Sequence, residues 1–158
     1  MQTAKQLSVR LVNKPGRLAD MLGAMAKEKV NFRALAVMDS AERGTVRFVP
    51  DDLDAAIKVL EKSNIPYEVT DVLLADVPNQ QGAFRKICER LAAEHLNIDY
   101  AYCSFGPGTK GKSGVLAVIK VNDLAKARRV LGVNGTPLRR KPARQLRPRP
   151  APAMRGGE

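Results

Sequence analysis

The chain has 158 residues, 44% of them apolar, 4% aromatic and none of them Trp; that allows one domain, or two very small ones, around an aliphatic core. The net charge of +11 would suit a nucleic-acid binder, but residues 139–158 alone carry seven Arg/Lys against one Glu, so most of the excess is a terminal feature and nucleic acid is not the expected partner. No apolar run approaches the ~20 residues that span a bilayer, the charged start MQTAKQLSVRLVNK is unlike a signal peptide, and a single histidine, His95, rules out a multi-His metal site, so a cytoplasmic protein with no metal, no cofactor and no membrane partner is expected.

In chain order, LSVRLV alternates apolar and polar residues, as a half-buried strand does. A corner comes next: Asn13, Lys14, Pro15, Gly16, Arg17 and Leu18. Leu18, Met21, Leu22 and Met25 then recur at helical spacing, and Pro15 suits the start of that helix. FRALAVM and TVRFV read as strands across a turn, DDLDAAIKVLEKS as an amphipathic helix with acids in its first turn, and YEV as a fourth strand. This is the order β-α-β-β-α-β of the ferredoxin-like unit.

The pattern then repeats. Shifted by 66 residues, Gly16 meets Gly82, Leu18 meets Phe84, Met21 meets Ile87, Met25 meets Leu91 and Asn31 meets Asn97. The second copy runs VLLADV, the corner Asn79, Gln80, Gln81, Gly82, Ala83 and Phe84, then GAFRKICERLAAEH, IDYAYCSF, GVLAVIKV and DLAKARRVL. After Leu131 no alternating apolar run supplies its last strand. The predicted fold class is α+β: two ferredoxin-like units over residues 1–69 and 70–135, paired side by side into one sheet with helices on one face. FRALAVM and IDYAYCSF, as the edge strands of their units, are expected to join, giving seven or eight strands. The strand at Val72–Val77 would then be a free edge that a second chain could cover as a homodimer. The Pro- and Arg-rich residues 136–158 are expected to be a disordered, solvated tail.

One motif points elsewhere. GPGTKGKS, Gly106–Ser113, fits the phosphate-cradling pattern G-x-x-x-x-G-K-[ST]. That chemistry needs a helix N-terminus directly behind the loop, whereas the residues behind it, GVLAVIKV, are β-branched and alternating. The stretch is therefore predicted to be a hairpin loop. His95 has no recognisable nucleophile or acid partner, so no catalytic residue is assigned. Cys88 and Cys103 form no C-x-x-C pair and are expected to be free, half-buried thiols.

The two corners are the candidate binding elements. Each presents backbone N–H groups at a helix start, which attract a carboxylate. Each carries a glycine that permits close approach and an Asn that both donates and accepts, and Asn31 or Asn97 stands where the same helix ends. Turn and cap roles account for these residues equally well, so composition and spacing stop at polar corners suited to a small zwitterion.

LSVRLVNKPGRLADMLGAMAKEKVNFRALAV resembles the opening of an ACT domain, the regulatory module that binds amino acids beside many biosynthetic enzymes. The carrying residues are the apolar strand, Asn13 to Leu18, and Val30-Asn31-Phe32. To about residue 132 the chain is similar to stand-alone tandem ACT proteins, although the second corner lacks the proline before its glycine. The resemblance implies a non-enzymatic regulatory protein whose amino-acid ligand sits where paired units meet. It implies ligand contacts at Leu11, Asn13 and Gly16 with Asn31, and at Val77, Asn79 and Gly82 with Asn97. The alternative within the family is a regulatory subunit of a catalytic partner such as acetolactate synthase. Outside it stand a nucleotide hydrolase resting on GPGTKGKS and a nucleic-acid binder resting on the tail.

Overall fold

A computed structural model describes residues 1–38, 43–107 and 113–132. The first strand, β1 (Gln2–Val12), starts five residues earlier than its alternation predicts. It leads through the corner into α1 (Arg17–Lys27), then β2 (Phe32–Met38), β3 (Arg43–Pro50) and α2 (Leu53–Lys62). Next come β4 (Tyr67–Pro78), α3 (Ala83–Ala93), β5 (Ile98–Pro107), β6 (Ser113–Val121) and α4 (Leu124–Leu131). All strands pair antiparallel in one sheet of order β2-β3-β1-β4-β6-β5.

The expected α+β class holds, with two ferredoxin-like units in one sheet and helices on one face, but two details differ. YEV and VLLADV are a single strand, β4, which runs through the junction at residues 69 and 70. No Gly, Pro or Asn interrupts Tyr67–Val77, and β-branched Val69, Thr70 and Val72 favour extension. Its first part, Tyr67–Leu74, pairs with β1, and its last part, Leu73–Pro78, pairs with β6. Val72–Val77 is therefore an interior strand rather than the free edge expected. β4, and not the pair FRALAVM and IDYAYCSF, joins the two halves by hydrogen bonds, so the described sheet has six strands. The start of β1, Gln2–Ala4, pairs with Leu74–Val72 and occupies the flank of β4 where a last strand of the second copy would lie. Residues 133–158, on which that last strand and the tail fall, lie outside the described residues.

Alternation sorts the side chains to two faces. Leu7, Val9, Val46 and Phe48 meet Met21, Met25, Val59 and Leu60 of α1 and α2 in one core. Leu73, Ala75, Val77 and Ile119 meet Ile87, Leu91, Ala127 and Leu131 of α3 and α4 in a second. The intervening positions Val72, Leu74, Val118, Ala34 and Val49 form a third cluster on the opposite face. Val72–Ala75 is thus buried on both sides, as befits a central strand.

That third cluster exists because the sheet is curled. In a flat sheet β2 and β5 would be five interstrand steps apart, about 24 Å. Here they come within 8 Å, Cα to Cα, without forming a ladder. The curl puts the two predicted edge strands face to face and encloses a polar seam. Gln6, fully buried, donates from Nε2 to Tyr100 Oη at 2.6 Å and accepts at Oε1 from Tyr102 Oη at 3.0 Å. The Arg47 guanidinium lies 3.8 Å above the centre of the Tyr100 ring. Burial pushes the Tyr102 phenol well above its ordinary range, so it remains a donor. Cys88 is half-buried and Cys103 exposed, both as free thiols. No helix among the described residues is long and apolar enough to cross a membrane.

Candidate functional site

The two strand-to-helix corners have one backbone geometry. In the first, Lys14 N–H donates to Val12 C=O (2.8 Å), Arg17 N–H to Lys14 C=O (3.3 Å) and Asp20 N–H to Gly16 C=O (2.8 Å). In the second, Gln80 N–H donates to Pro78 C=O (2.7 Å), Ala83 N–H to Gln80 C=O (3.1 Å) and Lys86 N–H to Gly82 C=O (3.1 Å). Every partner is displaced by 66 residues. Gly16 and Gly82 sit in the left-handed region, with φ of 87° and 74°, which only glycine adopts freely. Pro15 therefore precedes the helix, inside the turn, instead of opening it.

How the helices begin separates the corners from the rest of the fold. α2 and α4 are capped by their own carboxylates: Asp52 accepts from Ala55 N–H at 3.0 Å and Asp123 from Lys126 N–H at 2.9 Å. α1 and α3 begin at Gly16 and Gly82 with no side-chain cap. The first helical N–H of each, that of Arg17 or Ala83, is turned back onto the corner, and the rest of the first turn has no side-chain cap and carries the partial positive charge of a helix start.

Around the first corner, Asn13, Lys14, Pro15, Gly16 and Arg17 are exposed, while Leu11 and Leu18 are half-buried against the core under α1 and α2. Around the second, Asn79, Gln80, Gln81 and Gly82 are exposed, Ala83 and Phe84 half-buried, and Val77 buried in the core under α3 and α4. Asn31 and Asn97 do not join the corners of their own units. They stand beyond the far ends of α1 and α3, each helix of 11 residues spanning about 16 Å. There Asn31 N–H donates to Asp51 Oδ1 at 2.9 Å and Asn97 N–H to Asn122 Oδ1 at 3.1 Å, tying each strand start to the next helix.

A cleft of about 320 Å³ opens beside the first corner, lined by Arg10, Leu11 and Val12 of β1, Arg17, Asp20 and Met21 of α1, and Ser63–Pro66 after α2. Of the predicted residues it includes Leu11 and Arg17. Sequence reading missed Arg10, Asp20 and the Ser63–Pro66 segment. Arg10 and Asp20 look like ordinary surface charges, and Ser63–Pro66 reaches the cleft only through the packing of α2 against α1.

The phosphate-loop lookalike can be placed by its flanks. Pro107 and Ser113 pair across β5 and β6, as do Gly106 and Gly114, so a strand stands behind the motif where the phosphate cradle requires a helix. Residues 108–112 themselves lie outside the described set. Among the described residues no group of three His, Cys, Asp or Glu side chains could hold a metal ion.

A family model described as an ACT domain pair matches residues 2–137. No curated protein matches the chain. Among solved structures, protein BT0572 from Bacteroides thetaiotaomicron is 34% identical, with 82% of this chain and 86% of that one aligned and a TM-score of 0.74. The ligand-free regulatory subunit of aspartate kinase from Thermus thermophilus shares 16% identity over 82% and 89% of the two chains, with a TM-score of 0.57. The corresponding subunit from Thermus flavus aligns with a TM-score of 0.54 at 16% identity, over 83% and 95%. These last two are likenesses of fold.

Proposed function

Because the chain belongs to the ACT domain pair family, a regulatory fold, we propose that it is a non-enzymatic regulatory protein that binds a free amino acid at its strand-to-helix corners. The observation that carries this reading is the contrast between the helix starts. α2 and α4 each spend a first-turn amide on the side chain of Asp52 or Asp123, whereas α1 and α3 have no side-chain cap beside their glycine corners. Uncapped first-turn amides receive a ligand carboxylate, and Gly16 and Gly82 let it approach the backbone. Asn13 and Asn79, exposed in the same turns, supply the side-chain hydrogen bonds for the ammonium or carboxylate, with Lys14, Pro15, Gln80 and Gln81 shaping the turns. The curled sheet gives the ligand something to act on, since binding at the end of β1 bears on a strand that pairs with both units' strands.

A catalytic partner enzyme is the second reading, favoured by the likeness to regulatory subunits of aspartate kinase over most of the chain. Co-purification of a larger catalytic chain would carry it. A homodimer is a further proposal, tested by its mass in solution.

The test is a thermal-shift screen against the twenty amino acids at millimolar concentration. A ligand at 100 times its Kd adds about 2.7 kcal/mol to the folded state and must raise Tm. Asn13→Ala is expected to weaken the shift. A screen with no responding amino acid overturns the reading.

A further inference from the structure

We infer that the solvent face of α4, together with the basic residues that follow it, docks the phosphate backbone of double-stranded nucleic acid without reading its sequence. The inference is independent of the amino-acid reading of the corners. Charge is split unevenly along the chain. Residues 1–123 hold seventeen Arg/Lys and fifteen Asp/Glu, whereas residues 124–158 hold ten Arg/Lys and one Glu. Concentration of charge at the terminus alone argued against a nucleic-acid partner. In the structure the basic stretch begins inside the folded unit, on α4, which holds Lys126, Arg128 and Arg129 and no acidic residue.

The helix is a fixed platform for that charge. Ala127 and Leu131 bury its inner face in the core under α3 and α4. Two ties hold it to α3: Lys126 Nζ donates to Glu94 C=O at 2.6 Å, and Arg90 Nη2 donates to Val130 C=O at 2.6 Å. Asp123, the nearest acid in sequence, uses its carboxylate to cap the helix at Lys126 N–H. Arg128 and Arg129 are exposed, and neither guanidinium makes an ion pair or hydrogen bond with a described residue. Three and four residues beyond Ala125, they share its face of the helix. The small residues Ala125 and Gly132 leave a shallow depression of about 330 Å³ on that face, so an extended polyanion can lie against the helix. From Gly132 the chain passes on to seven further Arg/Lys among residues 139–158.

Three features select among polyanions. Eight of the ten cations in residues 124–158 are arginines, whose planar forks match phosphate oxygens bidentately. No aromatic residue lies in the same stretch, so unpaired bases find no stacking platform there, and the available contacts are to the backbone of a paired duplex. The apolar face of α4 is committed to the core, which leaves it none to insert into an anionic bilayer. Phosphate neutralisation without base contacts gives binding that is indifferent to sequence and steep in salt.

Fluorescence anisotropy of the full chain with a labelled mixed-sequence DNA duplex tests this. Affinity is expected to fall about a thousandfold between about 50 and 200 mM salt, as for roughly six phosphate contacts. The double variant Arg128→Gln, Arg129→Gln should flatten the slope of log K against log salt by about 2, while Arg128→Lys, Arg129→Lys should keep it. Both positions are exposed, and circular dichroism verifies that the variants fold. Replacing the seven Arg/Lys of residues 139–158 by Gln should remove most of the affinity. No binding at low salt, a slope that the glutamine double variant leaves unchanged, tighter binding to the single strand than to the duplex, or equal competition by polyglutamate or by vesicles of anionic lipid overturns the inference.

Discussion

Gln6 and Tyr100 are 94 residues apart in sequence and 2.6 Å apart in space, Nε2 to Oη. They stand on β1 and β5, three strands apart in the sheet, and only the curl brings them together. Gln6 also accepts from Tyr102, so one buried amide satisfies hydroxyls of the other unit. Gln6→Leu leaves both hydroxyls without that partner and is expected to cost about 1–3 kcal/mol in urea unfolding. The triple variant Gln6→Leu, Tyr100→Phe, Tyr102→Phe removes the amide and both hydroxyls together, leaving of the partners only Ser8 Oγ, 3.3 Å from Gln6 Nε2, and should recover most of the loss. A single Gln6→Leu variant as stable as the parent would mean the seam does not hold the curl.

The glycines at the corners should behave as a matched pair. A Cβ at Gly16 or Gly82 would meet nothing within 4 Å, so the expected penalty is backbone strain alone, about 1–2 kcal/mol for each alanine substitution. The two values should agree closely, because the turns are the same. A neutral Gly16→Ala variant would show that the left-handed turn is not needed.

The helix exits offer the opposite change. Lys29 and His95, again 66 residues apart, hold positive φ of 58° and 55° where α1 and α3 end. Their amides close onto Ala26 C=O and Ala92 C=O, both at 3.0 Å. The left-handed exit favours glycine, so Lys29→Gly and His95→Gly should each raise stability by up to about 1 kcal/mol. Differential scanning calorimetry on both variants measures it, and lower melting temperatures would refute the account. This also explains His95 without catalysis: it occupies a strained turn on the surface.

The legible part of the fold came from local chemistry. Alternation in LSVRLV and helical spacing from Leu18 to Met25 marked β1 and α1, and the offset of 66 announced the shared corner geometry. Two features were hidden for physical reasons. β4 reads as two strands because each copy's template assigns it a separate role, and the uninterrupted run Tyr67–Val77 shows that extension can continue but not that one strand serves both units. The seam is invisible because Gln6 occupies a position facing away from the helices, where alternation predicts an exposed polar residue. The lining of the cleft was equally silent, since Arg17 and Asp20 look like the solvated face of any amphipathic helix until Ser63–Pro66 folds beside them.

The junction between α1 and β2 makes a prediction about acid stability. Asp51 Oδ1 accepts from Asn31 N–H and from Asp52 N–H, both at 2.9 Å. The Asn31 backbone bond, helped by that from Asp52, holds the Asp51 carboxyl below its ordinary value of 3.8 against the opposing effect of desolvation. A carboxyl lowered in the folded state stabilises the fold above its unfolded pKa, and that contribution is lost as pH falls through 3.8 towards the folded value. The second unit has a neutral counterpart, with Asn122 Oδ1 accepting from Asn97 N–H at 3.1 Å and Asn122 N–H donating back to Asn97 C=O at 3.2 Å. Asp51→Asn therefore converts the first junction into the chemistry of the second. Urea midpoints measured between about pH 5 and pH 3 should fall less steeply for Asp51→Asn than for the parent chain. Asp51 is exposed, so the difference is expected to be small and sensitive to salt. Superimposable profiles would mean that the Asn31 bond is as strong to the protonated carboxyl as to the carboxylate, and would remove the basis for assigning this residue any role in acid unfolding.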